Sequence, residues 1–281
     1  MNHHLESELI DKMLDILSEV STWPVGKDDL YPDYVKCRIL EYKAYVKTLS
    51  FILSISRNVP IKVLDVGTSL GVIPLTLRRY YNVEAYALDH PREANFKPYF
   101  EAMGVPYTCF DLLEGELPYP DKMFDVIVFN AVIEHLPFSP KNNLMSFYRI
   151  LKLGGYLIIF TPNIARLSTR IKLLLGRTIH PPLHYFFHSS FPFPGHYREY
   201  TLDELKLMMS WVGFSIEKAG YTNRTDALFL YRMKPRFAQN RFYRISWREI
   251  LAQAIFDLAA LLKSSLAQEI YVVARKPLNA Q

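Results

Sequence analysis

The stretch IKVLDVGTSLG at residues 61–71 decides the fold. Its first half is apolar and rich in β-branched residues, which is typical of a buried strand, and its second half has the small residues of a tight turn. A strand that ends in Asp65 and enters a glycine-containing turn before a helix presents backbone N–H groups at the carboxyl end of a sheet, where ligands bind. The stretch therefore predicts a ligand-binding edge in an α/β protein.

Strand-like segments alternate with helical stretches along most of the chain, which indicates a mostly parallel sheet with helices on both faces. Two amphipathic patterns precede the first strand and predict a helical N-terminal cap. Their apolar positions are Leu5, Leu9, Met13, Ile16 and Val20, then Val35, Ile39, Tyr42, Val46, Leu49 and Leu53. The strand-like segments are IKVLDV, EAYAL, PYTCF, FDVIVF, GYLIIF, FSIEKAGY and EIYVVARKP.

The C-terminal part predicts one more capped helix and a helical insertion. Thr201 and Glu204 form a capping box, and Gly213 follows the last apolar positions. Residues 224–267 are too many for a hairpin turn between the last two strands. We therefore expect a single domain over residues 1–281, with a cap at 1–58, a cofactor-binding core at 59–162, a substrate lid at 163–200, and a C-terminal part at 201–281 that contains the insertion at 224–267.

Composition excludes several classes of protein. A chain of 281 residues that is 50% hydrophobic can bury a large core, and its net charge of +5 is too small to indicate nucleic-acid binding. The cysteines are Cys37 and Cys109, so no disulfide framework is implied, and the N-terminus lacks a signal-peptide pattern. No uncharged apolar run reaches the roughly eighteen residues needed to cross a bilayer. These features favour a cytoplasmic protein.

The turn fits more than one interpretation. A dinucleotide-binding turn requires glycine where Ser69 and Val72 stand, so that match is poor. Gly67 to Gly71 also fit the G-x-S-x-G elbow of a serine hydrolase with Ser69 as the nucleophile, although the preceding residues indicate helices and contain no His-Gly-Gly segment. As a non-glycine residue, Ser69 is expected to adopt a negative φ, which would alter the turn slightly.

VLDVGTSLG, together with the order of later segments over residues 60–220, resembles the class I S-adenosylmethionine-dependent methyltransferases. The resemblance implies a Rossmann-like fold and S-adenosylmethionine as cofactor. It places Asp65, Gly67, Ser69 and Gly71 around the amino-acid part of the cofactor, Asp89 at its ribose hydroxyls, Asp111 and Leu112 at its adenine, and Asn130 and Ala131 at its methionine portion.

Two histidines are candidates for the base that a hydroxyl acceptor needs, because imidazole titrates near neutral pH. His135 follows the fourth strand, and His196 begins HYREYT, which resembles a recurring segment of small-molecule methyltransferases. Glu134-His135 also resembles a metal-binding E-x-x-E-H pattern of some O-methyltransferases, but Ala131 occupies the first Glu position, so no metal is expected. His180, His184 and His188 are four apart, yet Pro181 and Pro182 disfavour a continuous helix, and no metal is assigned there.

Basic residues cluster in the lid and the insertion, and aromatic residues accompany the second cluster. We expect the apolar face of the insertion helix to pack against the domain, and the alternative is peripheral contact with an anionic membrane. That face comprises Leu251, Ile255, Leu258 and Leu262. The clusters are Arg166, Arg170, Lys172 and Arg177, then Arg224, Arg232, Lys234, Arg236, Arg241, Arg244 and Arg248, with Phe237, Phe242, Tyr243 and Trp247.

The segments TPNIARLSTRIKLLLGR and HYREYT resemble bacterial methyltransferases of glycan and small-molecule biosynthesis. The expected function is therefore O-methylation of a small molecule or of a sugar or glycan intermediate. The sequence makes nucleic acid an improbable acceptor and leaves the oligomeric state open. Two alternatives lie outside this class: a serine hydrolase that uses Ser69, and a non-catalytic scaffold that binds S-adenosylmethionine.

Overall fold

A computed structural model describes residues 3–23, 35, 38–56, 59–237 and 245–279. Seven strands form one sheet in the order β3-β2-β1-β4-β5-β7-β6. β7 runs antiparallel to both of its neighbours, and the other pairs are parallel. The predicted mostly parallel sheet is confirmed. Its strands are β1 (Lys62–Val66), β2 (Glu84–Asp89), β3 (Tyr107–Cys109), β4 (Phe124–Val128), β5 (Leu151–Pro162), β6 (Ser215–Thr222) and β7 (Glu269–Arg275).

Helices cover both faces of the sheet, as predicted. One apolar cluster joins α1, α2 and α3 to one face, and a second joins α5 and α8 to the other. The helices are α1 (His3–Val20), α2 (Tyr42–Ile55), α3 (Val72–Tyr81), α4 (Lys97–Ala102), α5 (Lys141–Ile150), α6 (Leu167–Leu174), α7 (Leu183–His188), α8 (Leu202–Val212), α9 (Ala227–Phe237) and α10 (Trp247–Leu262). Short 3₁₀ turns occur at Pro91–Phe96, Ile133–His135 and Ser264–Leu266.

The N-terminal helices share their core with the sheet. Leu9, Met13, Ile16 and Val20 of α1 are fully buried, and α1 packs against α2 and α3. This burial follows from their helical spacing, which places all four side chains on one face. The N-terminal helices therefore extend the apolar layer on one face of the sheet.

The capped helix and the insertion occur where the sequence predicts them. Thr201 N donates to Glu204 Oε2 at 2.8 Å, Glu204 N donates to Thr201 Oγ1 at 3.3 Å, and Gly213 ends α8 with a φ of +103°. The insertion contains α9 and α10. Part of the predicted basic and aromatic cluster lies outside the described part of the chain. This part comprises the side chains of Arg236 and Phe237 and the residues Arg241, Phe242, Tyr243 and Arg244.

The expectation that the leucine face of the insertion packs against the domain is wrong. Leu251, Ile255, Leu258 and Leu262 of α10 are all exposed, whereas Gln253 is buried. The reason is the surface beneath the helix: polar groups just after β6 need hydrogen-bond partners, and the polar side of α10 supplies them. The helix therefore faces the domain with its polar side.

The lid contains two short helices, and most of its side chains from residue 171 to residue 192 are exposed. α7 begins directly after Pro182, so His184 and His188 lie on a helix that excludes His180, as the two prolines predict. Over residues 3–23, 35, 38–56, 59–237 and 245–279, no helix has both the length and the apolar character needed to cross a membrane.

Candidate active site

The turn between β1 and α3 requires glycine at two positions. Gly67 and Gly71 have φ values of +72° and +70°. A Cβ on Gly67 would lie 2.4 Å from Val132 Cγ2, and one on Gly71 would lie 2.5 Å from the Phe100 ring. Gly67 N also donates to Leu88 O at 2.8 Å, which fixes the turn against the end of β2. Both the backbone conformation and the close packing therefore exclude a side chain.

Ser69 adopts a φ of +53°, so the expectation of a negative φ is wrong. This left-handed conformation costs a non-glycine residue about 1–2 kcal/mol. A hydrogen bond from Ser69 N to Asp89 Oδ2, 2.6 Å long, offsets part of that cost. Residues 67, 69 and 71 therefore all have positive φ values, with serine at the middle one of the three.

The Ser69 hydroxyl is buried and has no hydrogen-bond partner. A serine nucleophile needs an adjacent base within hydrogen-bond reach, and no described imidazole bonds to this oxygen. An unsatisfied buried hydroxyl is costly unless a polar ligand satisfies it. The geometry therefore fits a turn that contacts a polar cofactor better than it fits a hydrolase elbow.

Asp65 bonds to a residue of the turn. Its carboxylate is almost fully buried, and it accepts a hydrogen bond of 2.8 Å from Thr68 Oγ1. Burial raises the pKa of Asp65 to about 7, against the opposing effect of the Thr68 hydrogen bond. A buried carboxylate with one hydroxyl partner destabilises the folded protein. Such groups are common at functional sites, where the residue is retained for its function.

Asp89 ends β2 next to this turn. Its two oxygens accept backbone hydrogen bonds from Ser69 N at 2.6 Å and from His90 N at 2.8 Å. Burial raises the pKa of Asp89 to about 6. Because each carboxylate oxygen can accept more than one hydrogen bond, Asp89 retains acceptor capacity for ligand hydroxyls.

Asp111 and Leu112 lie at the same edge, because β3 is the parallel neighbour of β2. Asp111 Oδ1 accepts from Leu113 N at 2.9 Å, and Asp111 Oδ2 lies 3.3 Å from His90 Nε2. The backbone oxygen of Leu112 accepts from Asn143 Nδ2 at 3.0 Å. These bonds hold the loop after β3 in place beside Asp89.

Asn130 and Ala131 position the loop after β4. Asn130 Nδ2 donates to Thr48 Oγ1, and Asn130 Oδ1 accepts from Phe160 N, both at 3.1 Å. Ala131 has a φ of +54°, and the following Val132 packs on Gly67. The Asn130 side chain is therefore occupied by protein partners, and the loop borders the cofactor turn through Val132.

The structure brings His135 and His196 together. Their rings meet edge to face with centroids 4.7 Å apart. His135 Nδ1 lies 3.1 Å from Gly195 O, and His196 Nδ1 lies 2.9 Å from Glu199 Oε1. Since a carbonyl and a carboxylate only accept, each Nδ1 carries the hydrogen, which leaves each Nε2 with a free lone pair.

The two histidines differ in their electrostatic surroundings. Burial, and next the neighbouring His196, lower the pKa of His135 to about 4, so His135 is neutral at physiological pH. His196 instead has a carboxylate beside it. A carboxylate in this position stabilises the imidazolium that a general base forms.

Sequence reasoning missed Glu199 as a site residue. Burial raises the pKa of Glu199, but hydrogen bonds from His196 and Arg166 outweigh that effect and lower the pKa to about 2. Arg166 Nη2 lies 3.2 Å from Glu199 Oε1. Arg166 is therefore part of the site rather than of a solvated basic cluster. The signal was present in the sequence, because Glu199 follows His196 by three residues in HYREYT.

Glu134 joins the lid to the loop after β4. Its backbone oxygen accepts from Tyr197 N at 2.8 Å, and its buried carboxylate accepts from Thr161 Oγ1 at 3.0 Å. Burial raises the pKa of Glu134 to about 7. Glu134, His135 and His196 offer ligand atoms within 4.8 Å of one another, and no other described group has this metal-binding geometry. The expectation of a metal-free site stays a prediction.

Comparison with known proteins identifies the family. A family model described as a methyltransferase domain matches residues 36–219, which include every site residue discussed above. The chain belongs to the class I S-adenosylmethionine-dependent methyltransferases. The chain is also similar to a probable S-adenosylmethionine-dependent methyltransferase of Mycolicibacterium smegmatis, with 34% identity over 114 residues. That match covers 40% of this chain and 37% of the relative.

Solved structures have the same fold as this methyltransferase. A methyltransferase from Archaeoglobus fulgidus matches with a TM-score of 0.57 and 20% identity over 89% of this chain and all of that chain. Phosphoethanolamine N-methyltransferase 2 of Haemonchus contortus, in complex with S-adenosyl-L-methionine, matches with a TM-score of 0.52 and 15% identity over 91% and 61%. The [4+2]-cyclase SpnF matches with a TM-score of 0.53 and 17% identity over 97% and 96%, so the fold alone does not specify the reaction.

Proposed function

We propose that this protein transfers a methyl group from S-adenosylmethionine to a hydroxyl group of a small molecule or of a sugar or glycan intermediate. The observation that carries the proposal is the His135–His196 contact beside the cofactor turn. Val132 packs on Gly67, and His135 lies three residues further on. The loop that packs on the turn therefore also carries His135, which contacts the candidate base His196.

The cofactor fits the residues present. The buried Ser69 hydroxyl lacks a partner, and the Asp89 carboxylate next to it can still accept hydrogen bonds. Asp65 shapes the turn, Gly67 and Gly71 allow the backbone to approach, and Asp111 with Leu112 would hold the adenine. When bound, S-adenosylmethionine supplies a methyl group on a positively charged sulfur, which makes alignment of the acceptor the main task of the protein.

His196 accepts the proton of the acceptor hydroxyl. With S-adenosylmethionine bound, Nε2 of His196 would take the hydroxyl proton as the acceptor oxygen receives the methyl group and S-adenosylhomocysteine is left. Glu199 orients the ring through Nδ1 and stabilises the imidazolium that forms. Arg166 in turn holds Glu199 in place.

His135 has a positioning role. Its pKa of about 4 makes it a weak base at neutral pH, and its hydrogen bond to Gly195 O ties the loop after β4 to the lid. The same part of the lid carries aromatic rings, and those of Phe193 and Tyr197 meet with centroids 5.8 Å apart. Such rings suit stacking on a sugar or enclosure of an apolar acceptor.

The test is transfer of a labelled methyl group to an extract, with mass spectrometry of the product. We expect an O-methylated product, at least a hundredfold loss of rate in His196→Ala, and a smaller loss in Glu199→Gln. The matched control is His180→Ala, which removes an exposed lid histidine and should leave the rate unchanged. An N-methylated or C-methylated product, or full activity in His196→Ala, contradicts the proposal.

Further measurements distinguish the metal-dependent, non-catalytic and hydrolase alternatives. Activity that persists in a chelator supports a metal-free site, and loss that manganese or zinc restores assigns Glu134, His135 and His196 to a metal instead. Binding of S-adenosylhomocysteine without transfer to any acceptor supports the non-catalytic scaffold. Ester hydrolysis that Ser69→Ala abolishes supports the hydrolase.

A further inference from the structure

Helix α10 buries the opposite face from an ordinary surface helix, whose apolar side faces the domain. Its polar side faces the domain, where Gln253 Nε2 donates to Thr225 O at 3.2 Å. Asp257 accepts from Asn223 Nδ2 and from Ala227 N, both at 2.8 Å. These bonds fix the rotation of α10 about its axis, so the opposite side must face outward.

That outward side is strongly apolar. Trp247, Leu251, Ile255, Leu258 and Leu262 recur at the spacing of one helical face, and each is between 57% and 80% exposed. A contiguous apolar face of this kind marks an interaction site more often than it marks an ordinary solvated surface.

The lid adds a second exposed apolar segment. Leu174, Leu183, Phe187 and Phe191 are each between 74% and 86% exposed. The lid leaves the sheet at the end of β5, and the insertion lies between the end of β6 and the start of β7, so both emerge at the carboxyl edge that carries the active site. Asn163 Nδ2 donates to Ser265 O and Ala267 O, at 3.0 and 2.9 Å, which ties the start of the lid to the end of the insertion.

The exposed charges of the lid and of α10 with the residue after it are positive. Lys172, Arg177, Arg248 and Lys263 are exposed, and no described carboxylate lies within salt-bridge distance of them. The sequence has no Asp or Glu from residue 163 to residue 198. On α10, Glu249 is used in the capping box with Ser246, and Asp257 is bonded to groups of the domain. The outward side of α10 therefore combines apolar and basic groups without acidic ones.

We propose that α10 and the lid dock on an anionic lipid bilayer. The apolar side chains would enter the interfacial layer, and the lysines and arginines would contact anionic headgroups. A second copy of the chain is a poorer occupant, because it would bring the same unpaired cations face to face with no carboxylate between them. Arg166 and Arg224 do not contribute, since the first binds Glu199 and the second is ion-paired with Glu41 and Glu269.

Docking in this orientation has a consequence for the active site. The lid, which carries His196, would lie against the bilayer, because the lid and α10 emerge at the same edge of the sheet. An acceptor held at the membrane surface would then reach the site without leaving the interface. This consequence rests on the proposed function, whereas the docking itself does not.

The test is sedimentation of the full chain with vesicles of phosphatidylcholine, with and without phosphatidylserine. We expect binding that requires phosphatidylserine and weakens in high salt. Leu251→Ser/Leu258→Ser should lower the partition coefficient at least a hundredfold, since each leucine contributes roughly tenfold. The matched control is Leu278→Ser, an exposed leucine that contacts Gly154 at the opposite edge of the sheet.

Three results overturn the proposal. The first is no vesicle binding by the wild-type protein, the second is equal binding by Leu251→Ser/Leu258→Ser, and the third is a wild-type dimer in sedimentation velocity that this variant dissociates. Calorimetry with S-adenosylhomocysteine keeps the two proposals distinguishable. A variant that binds this ligand normally but loses the vesicles has lost docking alone, and a wild-type protein that binds vesicles but not the ligand refutes only the proposed function.

Discussion

Helices α1 and α10 have similar apolar periodicity and opposite orientations. Leu9, Met13 and Ile16 of α1 are fully buried against the sheet layer, while Leu251 and Leu258 of α10 are largely exposed. Periodicity reports that a helix has two faces, and the surface beneath it decides which face is buried. Under α1 that surface is apolar, whereas under α10 it consists of backbone and amide groups after β6 that need hydrogen bonds.

The largest expected effect comes from a matched pair of leucine truncations. Leu9→Ala should lower the free energy of unfolding by about 2–5 kcal/mol, because it opens a cavity in the core. Leu251→Ala should change it by less than about 0.5 kcal/mol, because the side chain is exposed. Urea denaturation measures both. Similar losses in the two variants would mean that α10 buries its leucines.

This pair also shows how far the sequence predicts the fold. Leu9, Asp65 and Gly213 sit in local patterns that specify a helix, a strand end and a helix end, and the structure has all three. The orientation of α10 depends instead on Asn223 and Thr225, which are far from it in sequence. No local pattern contains that contact, so sequence reasoning favoured the wrong face.

The second effect concerns the polar side of α10. Asp257→Ala leaves the Asn223 amide and the N–H of Ala227 without their acceptor and removes one of two acceptors of the Gln253 amide, so it should cost about 1–3 kcal/mol of unfolding free energy. Asp203→Ala, at a largely exposed site on α8, is the control and should cost much less. Equal losses in urea denaturation would contradict the inverted orientation.

The third effect concerns the buried carboxylate under the cofactor turn. Burial raises the pKa of Asp65 to about 7, so its contribution to stability is complete below the unfolded-state pKa and is lost as pH rises towards 7. Asp65→Asn has no carboxyl group to titrate at this position. The free energy of unfolding of this variant minus that of the wild type should therefore increase by up to about 1.4 kcal/mol for each pH unit over that window. Thermal unfolding at several pH values measures it. A constant difference would contradict the buried, shifted carboxylate.

The candidate site was predictable to a different extent from the fold. Asp65, Gly67 and Asp89 could be chosen because they end strands or begin turns in a recognisable motif. The contact between His135 and His196 could not, because the lid brings them together over 60 residues of sequence. Glu199 was overlooked although it follows His196 by three residues, because its second partner, Arg166, is 33 residues away and meets it only in the fold.

The smallest effect is expected at Ser69. Ser69→Gly relieves a left-handed backbone conformation in the folded state but adds freedom to the unfolded chain, so its stability should change by no more than about 1 kcal/mol. Cofactor binding and activity should persist in Ser69→Gly and Ser69→Ala. Thermal unfolding and the methyl-transfer assay check this expectation. Loss of activity in Ser69→Ala would instead support the hypothesis that Ser69 is a nucleophile.

The central claim is that the edge formed by residues 65–71 and Asp89 holds S-adenosylmethionine. Isothermal titration calorimetry with S-adenosylhomocysteine tests it most directly. The wild-type protein should bind one equivalent, and Asp89→Ala should lose at least tenfold in affinity while remaining folded, because the ribose hydroxyls lose a charged acceptor. Absence of binding by folded wild-type protein, or unchanged affinity in Asp89→Ala, would contradict the account.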